Sequence, residues 1–494
     1  MVELLFPRQL SFAYVNGAHS SAPQGFSMEL LGEALGVARE LGERFEAAGH
    51  ELALVGGSVR DVCLGRVNTD LDFTTEAHPE VIANLMQGWA DSIWEVGIRF
   101  GTVGAIKAGY QIEVTTYRAE RYDAASRKPV VTYGTSLADD LVRRDFTINA
   151  MAVTLPDLQF VDLHGGASDM AEGILRTPGR PEDSFGDDPL RMMRAARFAS
   201  QLGFTVDPAA VAATKAMAER LEIVSAERVR DELSKLLLGK HPRRGLQLLV
   251  DTGLSGFVLP ELPALALEID EHHRHKDVYE HTLIVLEQAI ALETRHEPAS
   301  GPDLVLRLAA LFHDIGKPTT RKFEGGGGVS FHHHEVVGAK LTRKRLRTLR
   351  YPNEVVSEVS QLVELHLRFH GYAEGHWTDS AVRRYVRDAG DQLNRLHKLT
   401  RADSTTRNRR KALALQASYD SLEKRIAELS EQEEMNAIRP DLDGNQIMAL
   451  LAITPGREVG EAYKFLLERR LDRGPVSEEA ARAELLEWWA TRAK

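Results

Sequence analysis

The chain has 494 residues, 43% hydrophobic and 27% charged, enough for roughly three domains that each bury a core. A formal charge of −11 and an isoelectric point near 5.9 exclude a protein that coats itself with nucleic acid through overall basicity, so any polyanion must be held on local patches. The single cysteine, Cys63, excludes an intrachain disulfide and a cysteine-built zinc site, and it fits a reducing cytoplasm.

Residues 1–26 are rich in turn formers and read as an N-terminal extension. No run of about 18 apolar residues occurs, so neither a signal peptide nor a membrane span is expected. Residues 27–49 carry apolar side chains at helical spacing and stop at Gly49, which predicts a helix. From 51 to about 165 the runs ELALVGG, LDFTT, RFGTVGAIKAGYQIEVTTYR and FTINAMAVTL alternate with glycine-marked turns, predicting a small mixed sheet with helices. Past about 170, strand signals nearly vanish and amphipathic stretches such as PLRMMRAARFASQLGF, AERVRDELSKLLL and DLVLRLAALFHDI take over. The expected class is α+β: a mixed-sheet head at 27–180, a helical neck at 181–270, a helical domain at 271–412 and a helical tail at 413–494.

The first chemical signal is GGSVRDVCLGRVNTDLDF at 56–73. If LDF lies on a strand, Asp70 and Asp72 project to one face, where two carboxylates repel unless a cation lies between them. Oxygen-only ligands select a hard ion such as Mg²⁺, and Glu113 in YQIEVTTYR supplies a third acid for a two-metal site acting on phosphorus. Gly56 and Gly57 follow an apolar strand and let the backbone approach a triphosphate; the next helix turns its N-terminal amides to the same anion, and Arg60 adds a charge-assisted contact.

The order GG-x-V-R-D, D-x-D, an isolated acid, LVRRDFTINAMA (141–152) and DLHGG (162–166) resembles the nucleotidyltransferases of the polymerase-β superfamily. Within it the chain resembles the class II tRNA CCA-adding enzymes and their bacterial poly(A) polymerase relatives. The resemblance implies that Asp70 and Asp72 hold metal ions, that Gly57 and Arg60 meet the triphosphate, and that Arg144 and Asp145 grip the nucleotide. In such enzymes the loop matching RAERYDAASRKPVVTYGTSLADD helps the site shift between bases, which makes Arg121, Tyr122 and Arg127 secondary candidates, with Arg118 nearer the phosphates.

In DDPLRMMRAARF (187–198), Pro189 suits a first helical turn, Asp188 sits at the cap, and Arg191, Arg194 and Arg197 follow at spacings of three. A carboxylate beside a guanidinium can read a base edge, the acid accepting from the amine of C or A and the arginine donating to a ring acceptor. The family credits the matching acid and arginine with this task. The chain departs from the family pattern here, with Asp187, Asp188 and Pro189 in place of Glu-Asp without proline. The alternative is that Asp188 is a helix cap and the arginines are a solvated row. Ser225, a cap for SAERVRDELSKLLL, precedes Glu227 and Arg228, which read as support for the base reader.

A second constellation is His281, His313–Asp314, one of His332, His333 and His334, then His366 and Asp403. The series resembles the HD metal-dependent phosphohydrolase domain, with Phe331-x-x-His334 the best match for the third position. Neutral imidazoles with a carboxylate suit a divalent transition metal, which lowers the pKa of a bound water. KLTRKRLRTLR (340–350), RADSTTRNRRK (401–411) and the helix opened by Gly456 are candidate phosphate contacts for RNA. The expected function is Mg²⁺-dependent addition of CMP and AMP from CTP and ATP to the 3′ end of tRNA. Poly(A) synthesis, CC-only or A-only addition, or phosphate hydrolysis at the HD residues stay open as alternatives.

Overall fold

The computed structural model of the protein describes residues 22, 26–66, 69–94, 101–117, 134, 136–266, 278–324, 329–369, 372, 377–405, 408–433 and 439–492. They fall into two compact units, Met1–Val258 and Leu259–Lys494, each described by itself.

The first unit is organised by a sheet whose strands are β1 (Leu52–Val55), β2 (Asp70–Thr75), β3 (Ser92–Trp94), β4 (Thr102–Lys107), β5 (Tyr110–Thr116), β6 (Met151–Leu155) and β7 (Phe160–Asp162). Their spatial order is β3-β4-β5-β2-β1-β6-β7. β2 and β5 run parallel, and the other neighbours are antiparallel. The interior strand β1 reads LALV rather than alternating, because both of its faces are covered. Ala53 and Val55 pack with Tyr117, Leu137 and Leu141, while Leu52 and Leu54 point the other way.

Helix α1 (Glu33–Ala47) packs on β1 and β6. The helix expected over 27–49 is interrupted at Gly32, whose φ of +54 breaks it into a short 3₁₀ turn, Met28–Leu31, and α1. FTINAMAVTL is likewise divided: Thr147–Asn149 form a 3₁₀ turn and β6 starts at Met151. α2 (Gly57–Cys63) follows β1, and α3 (Leu137–Val142) precedes the 3₁₀ turn. The two-residue strands β8 (Ile174–Leu175) and β9 (Thr205–Val206) pair in parallel near the start of the helical part. There α4 (Leu190–Leu202), α5 (Ala226–Leu237) and α6 (Pro242–Asp251) pack through Met193, Ala196, Leu233, Leu236, Leu246 and Leu249, all buried.

In the second unit, α7 (Val278–Arg295), α9 (His334–Thr348) and α11 (Leu393–Asp403) carry His281, His334 and Asp403, His313–Asp314 and His366 follow directly on α8 (Leu304–Phe312) and α10 (Asn353–Leu365), and α12 (Arg409–Glu433) packs on α11. β10 (Lys322–Phe323) and β11 (Val329–Ser330) form a small antiparallel pair ahead of α9; the glycines 325–328 between them lie outside the described residues. A separate apolar cluster of Leu442, Ile447, Leu451, Ala462, Leu466, Ala481 and Leu485 unites the three tail helices.

Candidate functional site

Strand register assembles the acids. Asp70 lies opposite Gln111 and Asp72 opposite Glu113 across the parallel β2–β5 pair, so Asp70, Asp72 and Glu113 share one face of the sheet. Burial pushes the Asp72 carboxyl up from its ordinary range; Arg144 pulls it back, Glu113 and Asp70 push it further, and Arg60 opposes them. A hard divalent cation suits this all-oxygen set by its chemistry. Among the described residues, the triads whose ligand atoms lie within 4.8 Å of one another are both in the second unit, so the head acids present a more open set.

β1 delivers the chain to Gly56, with φ +70, where a Cβ would stand 3.2 Å from Arg144 Nη1 and 3.5 Å from Asp72 Oδ2. A side chain there would be strained by the backbone conformation and crowded against Arg144, and would touch Asp72. At Gly57 α2 begins, and its second residue, Ser58, is fully buried. Ser58 Oγ donates to the Asp70 carbonyl at 2.9 Å and accepts the Asp72 N–H at 3.1 Å. β1 pairs with β2 at Thr74 and Phe73, so the hydroxyl serves the part of β2 beyond that register.

The arginines expected at the nucleotide are held by protein partners. Arg60 donates from Nη1 to Asn149 Oδ1 at 2.9 Å and from Nε and Nη2 to Asp61. Arg144 pairs with Asp140 at 2.9 Å while remaining beside Gly56 and Asp72. Asp145 is buried and accepts from Phe146 N–H, Asn149 Nδ2 and Arg194 Nε at 2.8, 2.9 and 2.7 Å. Burial disfavours its charge, but Arg194, Asn149 and Arg191 outweigh burial and hold the carboxyl well below the usual range.

Helix α4 continues this network. Arg191 donates to Ser184 Oγ at 2.9 Å and to the Arg143 carbonyl at 2.5 Å. Arg197 is buried against Glu232 of α5 at 3.3 Å, and Arg194 Nη1 lies 4.0 Å from the same carboxylate. Arg60, Arg194 and Arg197 surround the Phe198 ring, their guanidinium carbons 5.3, 5.5 and 4.2 Å from its centroid. The N-cap of α4 is Pro189 rather than Asp188; Asp188, one residue earlier, accepts the Leu190 N–H at 3.1 Å and also an Arg228 Nη2 donor at 2.8 Å. The arginine row therefore ties α4 to the sheet domain and to α5, rather than standing in solvent. Ser58, Asn149 and Glu232 complete the arrangement. Of these, Glu232 left a trace in the sequence, as an acid inside the apolar stripe Val229-Leu233-Leu236. Arg118, Arg121, Tyr122 and Arg127 lie outside the described residues.

In the second unit the HD residues converge as two triads, His281–His313–Asp403 and Asp314–His334–His366. His313, His334 and His366 each place Nδ1 against a backbone carbonyl, of Ala310, Phe331 and Val363, at 2.8, 2.9 and 2.6 Å. A carbonyl only accepts, so Nδ1 holds a proton and Nε2 is the nitrogen turned inward, the one a metal ion would bind on displacing any proton there. His281 Nδ1 pairs with Thr405 Oγ1 at 3.0 Å, and its Nε2 lies 2.9 Å from Asp403 Oδ1. His366 Nε2 is buried without a hydrogen-bond partner among the described residues, and His334 Nε2 faces Asp314 Oδ1 at 3.2 Å without hydrogen-bond geometry, while Asp314 Oδ2 pairs with Lys317 Nζ at 2.9 Å and lies 3.2 Å from His313 Nε2. Such orphaned donors-to-metal fit a divalent transition ion, which would lower the pKa of a bound water.

Burial opposes protonation of His313, yet Asp314 and then Asp403 raise it to about 10; burial and neighbouring His313 push His366 down to about 3. His332 and His333 are 74% and 83% exposed at the side chain, against 8% for His334, which settles which of the three joins the cluster. Gly316, just after the His-Asp pair, lets this turn approach α9: a Cβ would stand 2.1 Å from the His334 carbonyl. Of the basic stretches, Arg401 is turned inward to Glu423 and Asp420 at 2.9 and 2.7 Å and is not part of a phosphate track. No helix among the described residues is long and apolar enough to cross a membrane.

Comparison with known proteins matches this geometry in order along the chain. The Poly A polymerase head domain matches residues 52–176, the probable RNA and SrmB-binding site of polymerase A 203–265, and the HD domain 278–408. An A-adding tRNA nucleotidyltransferase of Deinococcus radiodurans is 35% identical over 450 residues, covering 88% of this chain and 95% of the relative. A CCA-adding enzyme of Levilactobacillus brevis is 44% identical over 228 residues, 46% of this chain and 56% of the relative. The crystal structure of the Bacillus stearothermophilus CCA-adding enzyme in complex with CTP superposes with a TM-score of 0.66 at 26% identity, over 94% of this chain and 99% of that one. On the acid-bearing sheet, the arginine-lined neck and the full-length likeness together, the chain belongs to the family of tRNA nucleotidyltransferases and poly(A) polymerases, in its HD-containing form.

Proposed function

We propose that this chain adds CMP and AMP from CTP and ATP, without a nucleic-acid template, to the 3′ end of tRNA. The observation that carries the reading is Asp72 facing Glu113 across a parallel strand pair with Gly56 and Arg144 against it. Asp70, Asp72 and Glu113 are the residues that would hold Mg²⁺, which supplies charge neutralisation for the triphosphate and a lower pKa for the attacking hydroxyl. Gly56 keeps the approach to the acids free of a side chain, and Arg144 places a cation where phosphate charge gathers. Asp188 and Arg191 at the start of α4 are the acid and guanidinium for reading C or A, with Arg228 holding Asp188 from α5. Asp145, Arg194, Arg197 and Glu232 lock α4 against the sheet so that this pair keeps its place relative to Asp72. A cytoplasmic location goes with the single reduced cysteine.

Incubation with tRNA lacking CCA and one labelled nucleotide at a time tests the proposal: C is incorporated from CTP, A follows when ATP is added, and Asp72→Asn abolishes both. Failure to incorporate C defeats the CCA reading. A-only addition is favoured by one observation, the Deinococcus A-adding relative that matches along 95% of its own length. Under that reading tRNA ending in CC accepts A, while tRNA lacking CCA accepts nothing.

A further inference from the structure

We infer that α9 carries a phosphate-backbone docking surface for duplex RNA, separate from both acid clusters. Lys340, Arg343, Lys344, Arg347, Thr348 and Arg350 line one shallow cleft of about 670 Å³ that is open to solvent. Five of these residues are cations, and no acid lines the cleft, in a chain whose net charge is −11.

The face is not explained by folding. Thr342 and Leu346 bury the opposite side of α9, and Arg345 leaves the cleft to pair with Glu261 at 3.0 Å. Arg343 reaches Glu364 at 4.0 Å, whereas Lys340, Lys344 and Arg347 have no carboxylate partner among the described residues. Lys340/Lys344 and Arg343/Arg347 are like charges at i, i+4, and Lys340/Arg343 and Lys344/Arg347 at i, i+3, spacings that destabilise a helix. The helix dipole favours cations in the last turn, which accounts for Arg347 but not for Lys340, two turns earlier. A uniformly basic, acid-free, open cleft is what a polyanion neutralises. Its spread along a helix of roughly 1.5 Å rise per residue suits several phosphates in succession rather than one small ligand.

RNA is chosen over an acidic protein because five of the six lining residues are cations and the sixth, Thr348, is a hydroxyl, with no apolar side chain among them; such contacts hold a phosphate backbone without reading sequence, and A-form RNA is bound largely that way. This identification rests on the tRNA-transferase reading above.

Lys344→Glu/Arg347→Glu is to be compared with wild type and with a charge-matched control, Lys322→Glu/Lys424→Glu, two exposed lysines that do not line the cleft. Binding of the full chain to tRNA is measured by fluorescence anisotropy across a salt series. The cleft variant is expected to lose about tenfold or more in affinity and to flatten the log–log salt slope by about 1.5, since each phosphate contact contributes roughly 0.7–0.9. The control is expected to bind like wild type. Wild-type affinity and slope in the cleft variant, with wild type incorporating nucleotide normally, overturn the inference and leave the transferase proposal standing. Loss of affinity equal to that of the control also overturns it, because the effect is then overall charge. If wild type incorporates nothing yet only the cleft variant loses tRNA binding, the docking surface stands and the transferase proposal falls. Unchanged melting temperature in the cleft variant confirms that the loss is not unfolding.

Discussion

The Ser58 hydroxyl is the hydrogen-bond acceptor for the Asp72 backbone N–H and the donor to the Asp70 carbonyl, so one buried side chain fixes the strand between the two acids. Ser58→Ala removes the donor to the Asp70 carbonyl and the acceptor of the Asp72 N–H, two part-buried hydrogen bonds, at a cost of about 1–3 kcal/mol. The variant is expected to melt several degrees lower and to need more Mg²⁺ for half-maximal nucleotide incorporation. Thermal melting and a Mg²⁺ titration measure both. A variant with wild-type melting and Mg²⁺ requirement would show that β2 holds its acids without the serine.

The Asp145–Arg194 pair ties the sheet to α4, and its contribution has a defined pH window. The Asp145 carboxyl is held below its ordinary range, so the native state binds its proton less readily than the unfolded chain does. Its stabilisation is therefore fully present above the ordinary carboxylate pKa and is lost as pH falls through the depressed folded value. Asp145→Asn keeps the shape and leaves Arg194 with only the more distant Glu232 carboxylate, 4.0 Å away, which costs about 3 kcal/mol at neutral pH on the scale of broken buried pairs. In urea unfolding the gap between variant and wild type is expected to be constant from pH 7 to about 5 and to narrow below about 4, where the wild type begins to lose the pair. A gap that widens on acidification sinks this account.

What the sequence made legible follows from locality. A side-chain period of two put Asp70 and Asp72 together, and helical spacing of three brought Arg191, Arg194 and Arg197 into one row. The partners of that row come from elsewhere in the chain: Asp145 is 49 residues from Arg194, and Glu232 is 35 from Arg197. Spacing carries no information about such pairs, so a solvated row and a buried network look alike until the elements pack. The same holds for Ser58, one of many serines by composition, whose role exists only because β1 pairs with a different part of β2. Glycine rules were read correctly at Gly49 but not at Gly32, where a single residue in the left-handed region ended one turn and opened α1.

Cys63 ends α2 half-buried, and burial followed by the Asp162 carboxylate pushes its thiol up to about 12. The thiolate is the reactive form, so alkylation at pH 8 is expected to be at least tenfold slower in the native protein than in denaturant, where the pKa returns to about 8.5. Iodoacetamide labelling followed by mass spectrometry measures the two rates. Equal rates would place the thiol in water.

At the HD residues the inward Nε2 atoms of His334 and His366 make no hydrogen bond among the described residues, an arrangement with a cost of several kcal/mol per polar group unless a cation satisfies them. The protein is expected to bind a divalent transition ion and to gain melting temperature with it, while a chelator removes the gain. His334→Ala, which deletes a ligand and opens the buried set, is expected to weaken binding by at least tenfold. His332→Ala and His333→Ala change exposed rings and are expected to leave the affinity as it was. Calorimetric titration with Mn²⁺ or Ni²⁺ on all three variants separates the readings. If His334→Ala binds like wild type, the convergence of the triads is a packed histidine core and not a metal centre.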